Sequence, residues 1–192
     1  MEYAHYIEDS GRYLLDLIND LLDISKIEAG EYRLKKESFD LNAVVDDCVN
    51  LMRQKAATNG VNLATKARDG QPPLLADRRA VKQMLLNLLS NALKFTPKDG
   101  AIEVSVENSG GFHVITVSDT GPGIPTDEIR FLLDPFREAR FSPQVSGEGS
   151  GLGLAITNSL VALHGGMLAI DGNGDTGTSV TISLPGTGIA GR

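Results

Sequence analysis

The feature of the sequence that most constrains the fold is a long connection between two regular segments. From Thr120 to Gly153 the chain is rich in Gly, Pro and Ser, and only a short helical pattern around Asp127–Leu133 interrupts it. Connections of this length are too long for a compact domain unless they are functional, and they are usually lids or disordered segments. A strand pattern ends directly before the connection, and a helical pattern over Leu152–His164 follows it. The sequence therefore predicts a domain whose functional loop lies between a strand and a helix.

The segments around this loop alternate between helical and strand patterns. Periodicity predicts a helix over residues 1 to about 29, a second that Asp40 or Asn42 caps and that ends near Asn59–Gly60, and a third from Asp77 to Phe95. The segments VNLATKA and PPLLAD predict strands, and AIEVSVEN with FHVITVSD predicts a hairpin through SGG. MLAIDG and TSVTISLP predict a closing hairpin. Helices and antiparallel hairpins in this order predict an α+β fold, a two-layer α/β sandwich.

The N-terminal helix carries an apolar stripe that is wider than a two-stranded coiled-coil seam. The heptad positions are Ile7, Leu14, Leu17, Leu21 and Ile24. The residues that widen the stripe are Leu15, Ile18 and Leu22. This width is typical of a helix inside a four-helix bundle. The alternative is a helix that packs on its own domain. Both interpretations require a partner surface for the stripe.

Composition restricts the class of protein. The 192 residues carry a net charge of −7, which disfavours nucleic-acid binding because contacts to phosphates need clustered Lys and Arg. The single cysteine, Cys48, excludes an internal disulfide and favours a buried structural thiol in a reducing compartment. Neither a membrane-spanning run nor a signal peptide is present, so we expect a cytoplasmic location and no membrane contact by this segment. A longer, membrane-anchored parent protein is compatible with this prediction.

One candidate site lies on the third helix. Asn87 and Asn91 are four residues apart, which places both carboxamides on one helical face. Neutral oxygen ligands of this kind suit a Mg²⁺ ion that already carries phosphate oxygens. Lys94 follows Asn91 by three residues and is within reach of a phosphate. The alternative interpretation is a pair of asparagines that cap the helix or face water.

Two glycine-containing motifs flank the long connection. Asp119 ends a strand, and Gly121 and Gly123 follow it in DTGPGI, where the missing Cβ atoms allow a sharp turn and a close approach to a flat ring. The segment Gly147–Gly153 opens a helix, where backbone N–H groups and the helix dipole favour an anion. It lacks the Gly-Lys-Ser/Thr of a Walker A loop and the preceding strand of a Rossmann fingerprint. A plain turn and a flexible linker are the alternative interpretations.

Taken together, these motifs resemble the ATP-binding region of histidine kinases, which belong to an ATPase group with gyrase B, Hsp90 and MutL. NLLSNALKFT resembles the N-box, DTGPGI the G1 box, GEGSGLGL the G2 box and GTSV the final Gly-Thr box. LLDPF resembles the F-box, with Leu133 where the family usually has Phe. LINDLLDISKIEAG resembles the second helix of the dimerisation and phosphotransfer domain. The resemblance covers residues 2 to 185 and implies a Bergerat ATP-binding fold.

The resemblance also implies a division of the chain and roles for its residues. It suggests a dimerisation-domain helix over 1–30, a linker over 31–37, a catalytic ATP-binding domain over 38–186 and a tail over 187–192. By similarity, Asp119 accepts from the adenine amine with support from Thr178, and Asn91 with Asn87 binds Mg²⁺. Lys94 would contact phosphate, and Phe95 would lie near the base. The resemblance also implies that Gly121, Gly123 and Ile124 bind the base. The residues implied at the triphosphate are Gly147, Gly149, Gly151, Leu152 and Gly153. Phe136–Ser150 would form a lid, in which Arg137 and Arg140 either touch the γ-phosphate or face water.

The first N-box position separates branches of this ATPase group. ATP-hydrolysing relatives have Glu there as the base that activates water, and an amide such as Asn87 cannot take that role. The resemblance therefore implies ATP-dependent phosphoryl transfer to a histidine of the dimerisation domain, for relay to an aspartate of a response regulator, in a homodimeric full-length kinase. The alternatives are a degenerate ATP-sensing or protein-interaction scaffold, and a serine kinase or hydrolase of the same group.

Besides Leu133 in the F-box, the chain departs from the family pattern in the H-box, the motif that holds the phospho-acceptor histidine. His5 is followed by Tyr-Ile-Glu and lies on what resembles the second helix of the hairpin, not the first. His113 falls in a strand pattern and His164 ends a helix, so both are interpreted as structural. We therefore expect this chain not to phosphorylate itself on histidine.

Overall fold

The computed structural model describes residues 2–67, 70–129, 132–133, 151–172 and 177–186, with side chains described from residue 11 except at positions 12, 13, 16, 67 and 127. The elements, in chain order, are α1 (Glu2–Glu28), β1 (Glu37–Phe39), α2 (Leu41–Asn59), β2 (Asn62–Ala67), β3 (Leu74–Ala76), α3 (Arg78–Phe95), β4 (Ala101–Ser109), β5 (Phe112–Asp119), α4 (Thr126–Ile129), α5 (Gly153–Leu163), β6 (Met167–Gly172) and β7 (Thr178–Pro185). The short helix expected around Asp127–Leu133 corresponds to α4, which begins one residue earlier.

The main sheet has five strands in the order β2-β4-β5-β7-β6. The β2–β4 pair is parallel, and the other three pairs are antiparallel, so the sheet is mixed. Both predicted hairpins, β4–β5 and β6–β7, are present. Strand β1 was not predicted; it is three residues long and pairs with β3 in a separate two-stranded sheet.

Helices α2, α3 and α5 form the second layer of the sandwich. Alternate residues of the central strands are buried, such as Ile102 and Val104 on β4 and Ile115 and Val117 on β5. Leu85 and Leu89 of α3 are fully buried in the same core. Burial of one such side chain contributes roughly 1.5–3 kcal/mol. The predicted α+β two-layer sandwich is thus confirmed.

Helix α3 begins and ends where its sequence predicts. Asp77 adopts an extended backbone conformation, and its Oδ1 accepts from the N–H groups of Arg79 at 3.0 Å and Ala80 at 3.2 Å. At the other end, Thr96 donates its hydroxyl to the Ala92 carbonyl at 2.7 Å, directly before Pro97. Because Asp77 is also buried, its cap lies inside the domain and not on the surface.

Helix α5 runs antiparallel to α3 and is bonded to it at both ends. At the start of α3, the Asp77 N–H donates to His164 Nε2 at 3.1 Å, and in the middle of α3 the Asn87 Nδ2 donates to the Gly153 carbonyl at 3.0 Å. Since Nε2 accepts, the proton of His164 is on Nδ1, which donates to the Leu160 carbonyl at 2.7 Å. Burial lowers the pKa of His164 and thus favours this neutral form.

The C-terminal end of α1 packs on the domain, whereas much of its apolar stripe does not. Ile24 is buried, and the Gln83 side chain of α3 donates to Asp23 at 2.9 Å. The exposed stripe residues, with side chains between 48% and 58% exposed, are Leu14, Leu15, Ile18, Leu21 and Leu22. Packing on its own domain therefore accounts for only one end of the stripe. Among the described helices, none is long and apolar enough to cross a membrane.

Candidate functional site

One end of the candidate site is formed by the half-buried carboxylate of Asp119, at the end of the central strand β5. Its Oδ1 accepts from the N–H of Gly121 at 2.8 Å and from the N–H of Thr178 at 3.3 Å. Burial raises the pKa of Asp119, and these two backbone hydrogen bonds act in the opposite direction. The bonds fix the position of Oδ1, and Oδ2 is the second acceptor that the group can offer a ligand.

Two glycines, Gly121 and Gly123, follow this carboxylate at positions where a side chain is disfavoured. A Cβ at Gly121 would lie 2.8 Å from Asp119 Oδ1 and 3.0 Å from the Phe95 carbonyl oxygen, so this position excludes a side chain. Gly123 has a φ of 74°, a left-handed conformation that favours glycine. Both residues were predicted at the base of a nucleotide, and Gly121 is the one that lies directly against Asp119.

Gly177 is a site residue that the sequence analysis did not single out. Its φ is 91°, and a Cβ there would collide with the backbone carbonyl of Asp119. The neighbouring residue, Thr178, is paired with Asp119 in the β5–β7 ladder and is buried. The sequence feature that could have identified Gly177 is its place in the GTSV segment, directly before a strand. It allows β7 to begin in contact with the end of β5.

Ile124 lies next to this carboxylate region, at the β6 edge of the sheet. A Cβ at Gly172 of β6 would lie 3.1 Å from the backbone nitrogen of Ile124 and 3.2 Å from its carbonyl oxygen. The turn that follows Asp119 therefore packs its backbone closely against β6, and this contact fixes the G1-like segment over the end of the sheet.

The two asparagines of α3 occupy different environments. The Asn87 amide nitrogen donates to the Gly153 carbonyl at 3.0 Å and lies 3.4 Å from the Thr157 hydroxyl. Asn91 is half-buried, and its carboxamide makes no hydrogen bond to the described part of the chain. Asn87 thus connects α3 to the start of α5, whereas no such contact to the described residues holds the amide of Asn91.

Lys94 and Phe95 end α3 next to this asparagine pair. The Lys94 ammonium lies 5.3 Å from the centroid of the Phe95 ring, a distance at which cation–π attraction operates. Both side chains are half-buried. In this conformation the Lys94 charge is held against the ring at the C-terminal end of the helix.

The N-terminus of α5 faces the middle of α3 and differs from the other long helices. Helices α2 and α3 begin with Asp40 and Asp77, whose carboxylates accept from backbone N–H groups. Helix α5 begins with Leu152, which is buried and has no acceptor in its side chain. Gly151 precedes it with a φ of 66°. Within the described residues, no side-chain anion lies at the first turn of α5, where a ligand's negative charge is favoured.

The structure brings together most of the predicted site residues. Asn87, Asn91, Lys94 and Phe95 lie on α3, which packs against both β5 and α5. Of the remaining predicted residues, those outside the described residues are Arg137, Arg140, Gly147 and Gly149. Thr157 of α5 was not predicted as a site residue. The sequence feature that could have identified it is its place one helical turn after Gly153.

Comparison with known proteins shows the family of the chain. Residues 76–188 match the family described as histidine kinase-, DNA gyrase B- and HSP90-like ATPase. Histidine protein kinase DivJ of Caulobacter vibrioides is 42% identical over 184 residues, which cover 96% of this chain and 31% of that protein. The non-motile and phage-resistance protein of the same organism is 43% identical over 187 residues, or 95% of this chain and 22% of that protein. The chain thus spans less than a third of either curated relative.

Solved structures show the same fold. Full-length ShkA in complex with AMPPNP superimposes with a TM-score of 0.85 at 29% identity, over 96% of this chain and 38% of that one. The nucleotide-free catalytic domain of histidine kinase ThkA gives a TM-score of 0.69 at 25% identity, over 79% of this chain and 98% of that domain. By its matched family, its relatives and its fold, the chain belongs to the histidine kinase-, DNA gyrase B- and HSP90-like ATPases, in the branch of the histidine kinases.

Proposed function

We propose that this chain binds ATP with Mg²⁺ between α3, the end of β5 and the start of α5, and donates the γ-phosphoryl group to a histidine. The observation that carries the proposal is the Asp119 carboxylate, fixed by two backbone N–H groups beside Gly121, where no side chain fits. Such a group, with Oδ2 free to accept, recognises an exocyclic amine at the edge of a flat base. Thr178 and Gly123 complete this end of the site.

The phosphate end of the proposed site is formed by α3 and α5. The N-terminus of α5, with Gly151, Leu152 and Gly153 at its start, places the positive end of a helix dipole next to the phosphates. In the same role we place Gly147, Gly149 and one of Arg137 and Arg140, from the resemblance alone. Lys94 needs only to leave the Phe95 ring to reach a phosphate.

The donor set also fits Mg²⁺. The Asn91 carboxamide is half-buried and has no hydrogen-bond partner in the described chain, and Mg²⁺ bound to phosphates takes few ligands from protein. We propose Asn91 as the main ligand, assisted by Asn87. When bound, the ion neutralises charge that develops on the transferred group.

The residues of the site favour transfer over hydrolysis. Asn87 stands where a general base would activate water, and an amide cannot accept that proton. With no such base, catalysis consists of positioning and charge stabilisation, and an imidazole nucleophile supplies the attacking electron pair. We propose that this imidazole belongs to a dimerisation domain, and that a response-regulator aspartate receives the phosphoryl group in a later step.

The acceptor histidine is not expected within this chain. His113 is fully buried and His164 is buried with both ring nitrogens hydrogen-bonded, so neither can reach a phosphate. His5 falls on α1, in a segment that lacks the H-box pattern. We therefore propose that the chain transfers phosphate in trans and does not phosphorylate itself.

The N-terminal helix is proposed to belong to the dimerisation domain of the longer kinase, with residues 31–37 as linker and 187–192 as tail. The five exposed apolar side chains of its stripe support this proposal, because a bundle would cover them. We expect the wild-type chain to self-associate in light scattering, and an Ile18→Glu variant to self-associate more weakly. Because ATP and response regulators are cytoplasmic, we propose that location.

Nucleotide binding is the first test of this function. We expect Mg²⁺-ATP to bind the wild-type chain in calorimetry and to bind Asp119→Ala about 10- to 100-fold more weakly, since a hydrogen bond to a charged group is lost. Asp47→Ala is the control, because this exposed carboxylate pairs with Arg78 away from the site. Absence of binding by the wild-type chain would refute the proposal.

Phosphoryl transfer distinguishes the kinase from an ATP-sensing scaffold. The wild-type chain is mixed with labelled ATP and a separate dimerisation domain that carries the acceptor histidine. We expect acid-labile label on that domain, little on this chain, and slow release of inorganic phosphate. ATP binding without any transfer would favour the scaffold.

A further inference from the structure

Three polar atoms meet where α3 contacts the first turn of α5. The Asn87 Nδ2 lies 3.0 Å from the Gly153 carbonyl oxygen and 3.4 Å from the Thr157 hydroxyl oxygen. The Thr157 hydroxyl donates to the same carbonyl at 2.8 Å. Thr157 is completely buried, so water does not replace these contacts. The three atoms form a closed triangle between the two helices.

The triangle determines which way the Asn87 carboxamide faces. A carbonyl oxygen can only accept, so the Asn87 amide nitrogen, and not its Oδ1, must face Gly153. The Thr157 proton is used on the same carbonyl, which leaves a hydroxyl lone pair to accept from Asn87. Both partners therefore select the same orientation, and in that orientation Oδ1 is turned away from α5. A rotated amide would bring Oδ1 against an acceptor and lose both contacts.

Hydrogen bonding, and not steric contact, fixes the carboxamide against α5. A Cβ at Gly153 would lie 3.5 Å from Asn87 Cγ and 3.7 Å from its Nδ2, which is ordinary van der Waals contact. Because glycine has no Cβ, this space beside the amide is left open. The two hydrogen-bond acceptors therefore determine the rotation of the group.

We propose that Thr157 is a positioning residue of the nucleotide site, which acts through Asn87. Its hydroxyl holds the carboxamide with Nδ2 toward α5, which leaves Oδ1 for a ligand on the helical face that Asn87 shares with Asn91, where the metal and phosphate ligands are proposed. The inference rests on the proposed function, because orientation of Oδ1 matters only if Asn87 contacts bound Mg²⁺-ATP. A purely structural Thr157 would need only its bond to the Gly153 carbonyl, as buried helical threonines commonly make.

The test compares Thr157→Val, which keeps the shape of the side chain, with Thr157→Ser, which keeps the hydroxyl. We expect Thr157→Val to weaken Mg²⁺-ATP binding about 5- to 10-fold, the typical effect of one hydrogen bond, and to change Mg²⁺-free nucleotide binding less than twofold. Thr157→Ser should restore the wild-type value. Thr116→Val is the matched control, because it removes a hydroxyl pair with Thr181, 3.1 Å apart on the sheet.

A double-mutant cycle separates positioning from stability. In an Asn87→Ala background, Thr157→Val should have no further effect on Mg²⁺-ATP affinity. In the nucleotide-free chain, the side-chain amide signal of Asn87, assigned by its loss in Asn87→Ala, should shift in Thr157→Val and remain unchanged in Thr157→Ser. Thr157→Ala serves the same purpose should Thr157→Val fold poorly.

The outcomes are distinct. Equal Mg²⁺-ATP affinity of Thr157→Val and wild type, or the same loss in both backgrounds, would overturn the positioning role while the proposed function stands. A wild-type chain that binds no Mg²⁺-ATP would refute the proposed function, and the role of Thr157 with it.

Discussion

Replacement of Asp77 by Ala should destabilise the domain more than loss of an ordinary helix cap. Its Oδ1 accepts from two N–H groups at the start of α3, and its Oδ2 accepts at 2.9 Å from the N–H of Lys35, in the proposed linker over 31–37. Loss of an N-cap costs roughly 0.5–2 kcal/mol. The Lys35 bond to a buried carboxylate adds roughly 1.5–3 kcal/mol. Because the two costs overlap, we expect a total of about 3 kcal/mol, a large part of the stability of a typical domain.

Urea unfolding at constant m value measures this loss, and two variants serve as references. Asp40→Ala removes an exposed cap that accepts from Asn42 at 2.9 Å, so about 0.5–1 kcal/mol is expected. Asp77→Asn retains a good capping residue, but its amide group cannot accept on both sides, so an intermediate loss of about 1.5 kcal/mol is expected. If Asp77→Ala costs no more than Asp40→Ala, the bond between linker and cap contributes nothing, and the reasoning is wrong.

Three further predictions concern buried titratable groups. The pKa of the Cys48 thiol is raised to about 11, chiefly by burial, so labelling by a thiol reagent at pH 8 should be slow in the native chain and rapid in urea. His113 is fully buried, and neither ring nitrogen has a partner within the described residues, so His113→Leu should raise the free energy of unfolding by about 1–2 kcal/mol at pH 7.5. Burial also lowers the pKa of His113 and His164, so below pH ~6.5 the unfolded chain binds protons that the folded chain does not. Stability should then fall as the pH falls, by up to about 1.4 kcal/mol per pH unit for each histidine, and His113→Leu should show a shallower dependence in urea titrations between pH 7 and 5.

Local patterns were sufficient to predict the elements that form the site. The alternation in β4 and β5, the Asp77 cap of α3 and the strand end at Asp119 are encoded within a few neighbouring residues, and the structure has them where the sequence predicts. Strand β1 is different. Its three residues have no pattern of their own, and they become a strand only because they pair with β3.

Contacts between distant segments could not be predicted in the same way. The parallel pairing of β2 with β4 and the bond from Asp77 to His164 join residues that no local rule relates. The sequence around Thr157 does not distinguish it from any other helical residue, because its contact with Asn87 depends on how α5 packs on α3. For this reason the sequence predicted a ligand role for Asn87 but not its contact with Thr157.

The two ends of the site are held by different kinds of interaction, and this predicts how each tolerates change. At Asp119 the geometry depends on backbone N–H groups and on missing Cβ atoms at Gly121 and Gly177. Any side chain there must displace main chain, so even alanine should abolish the pocket. At Asn87 the geometry depends on side-chain polarity, and a Cβ at Gly153 would meet only ordinary contact distances. Gly153→Ala should therefore be tolerated by the fold, whereas Gly177→Ala should not, although both glycines lie in motifs of the same family.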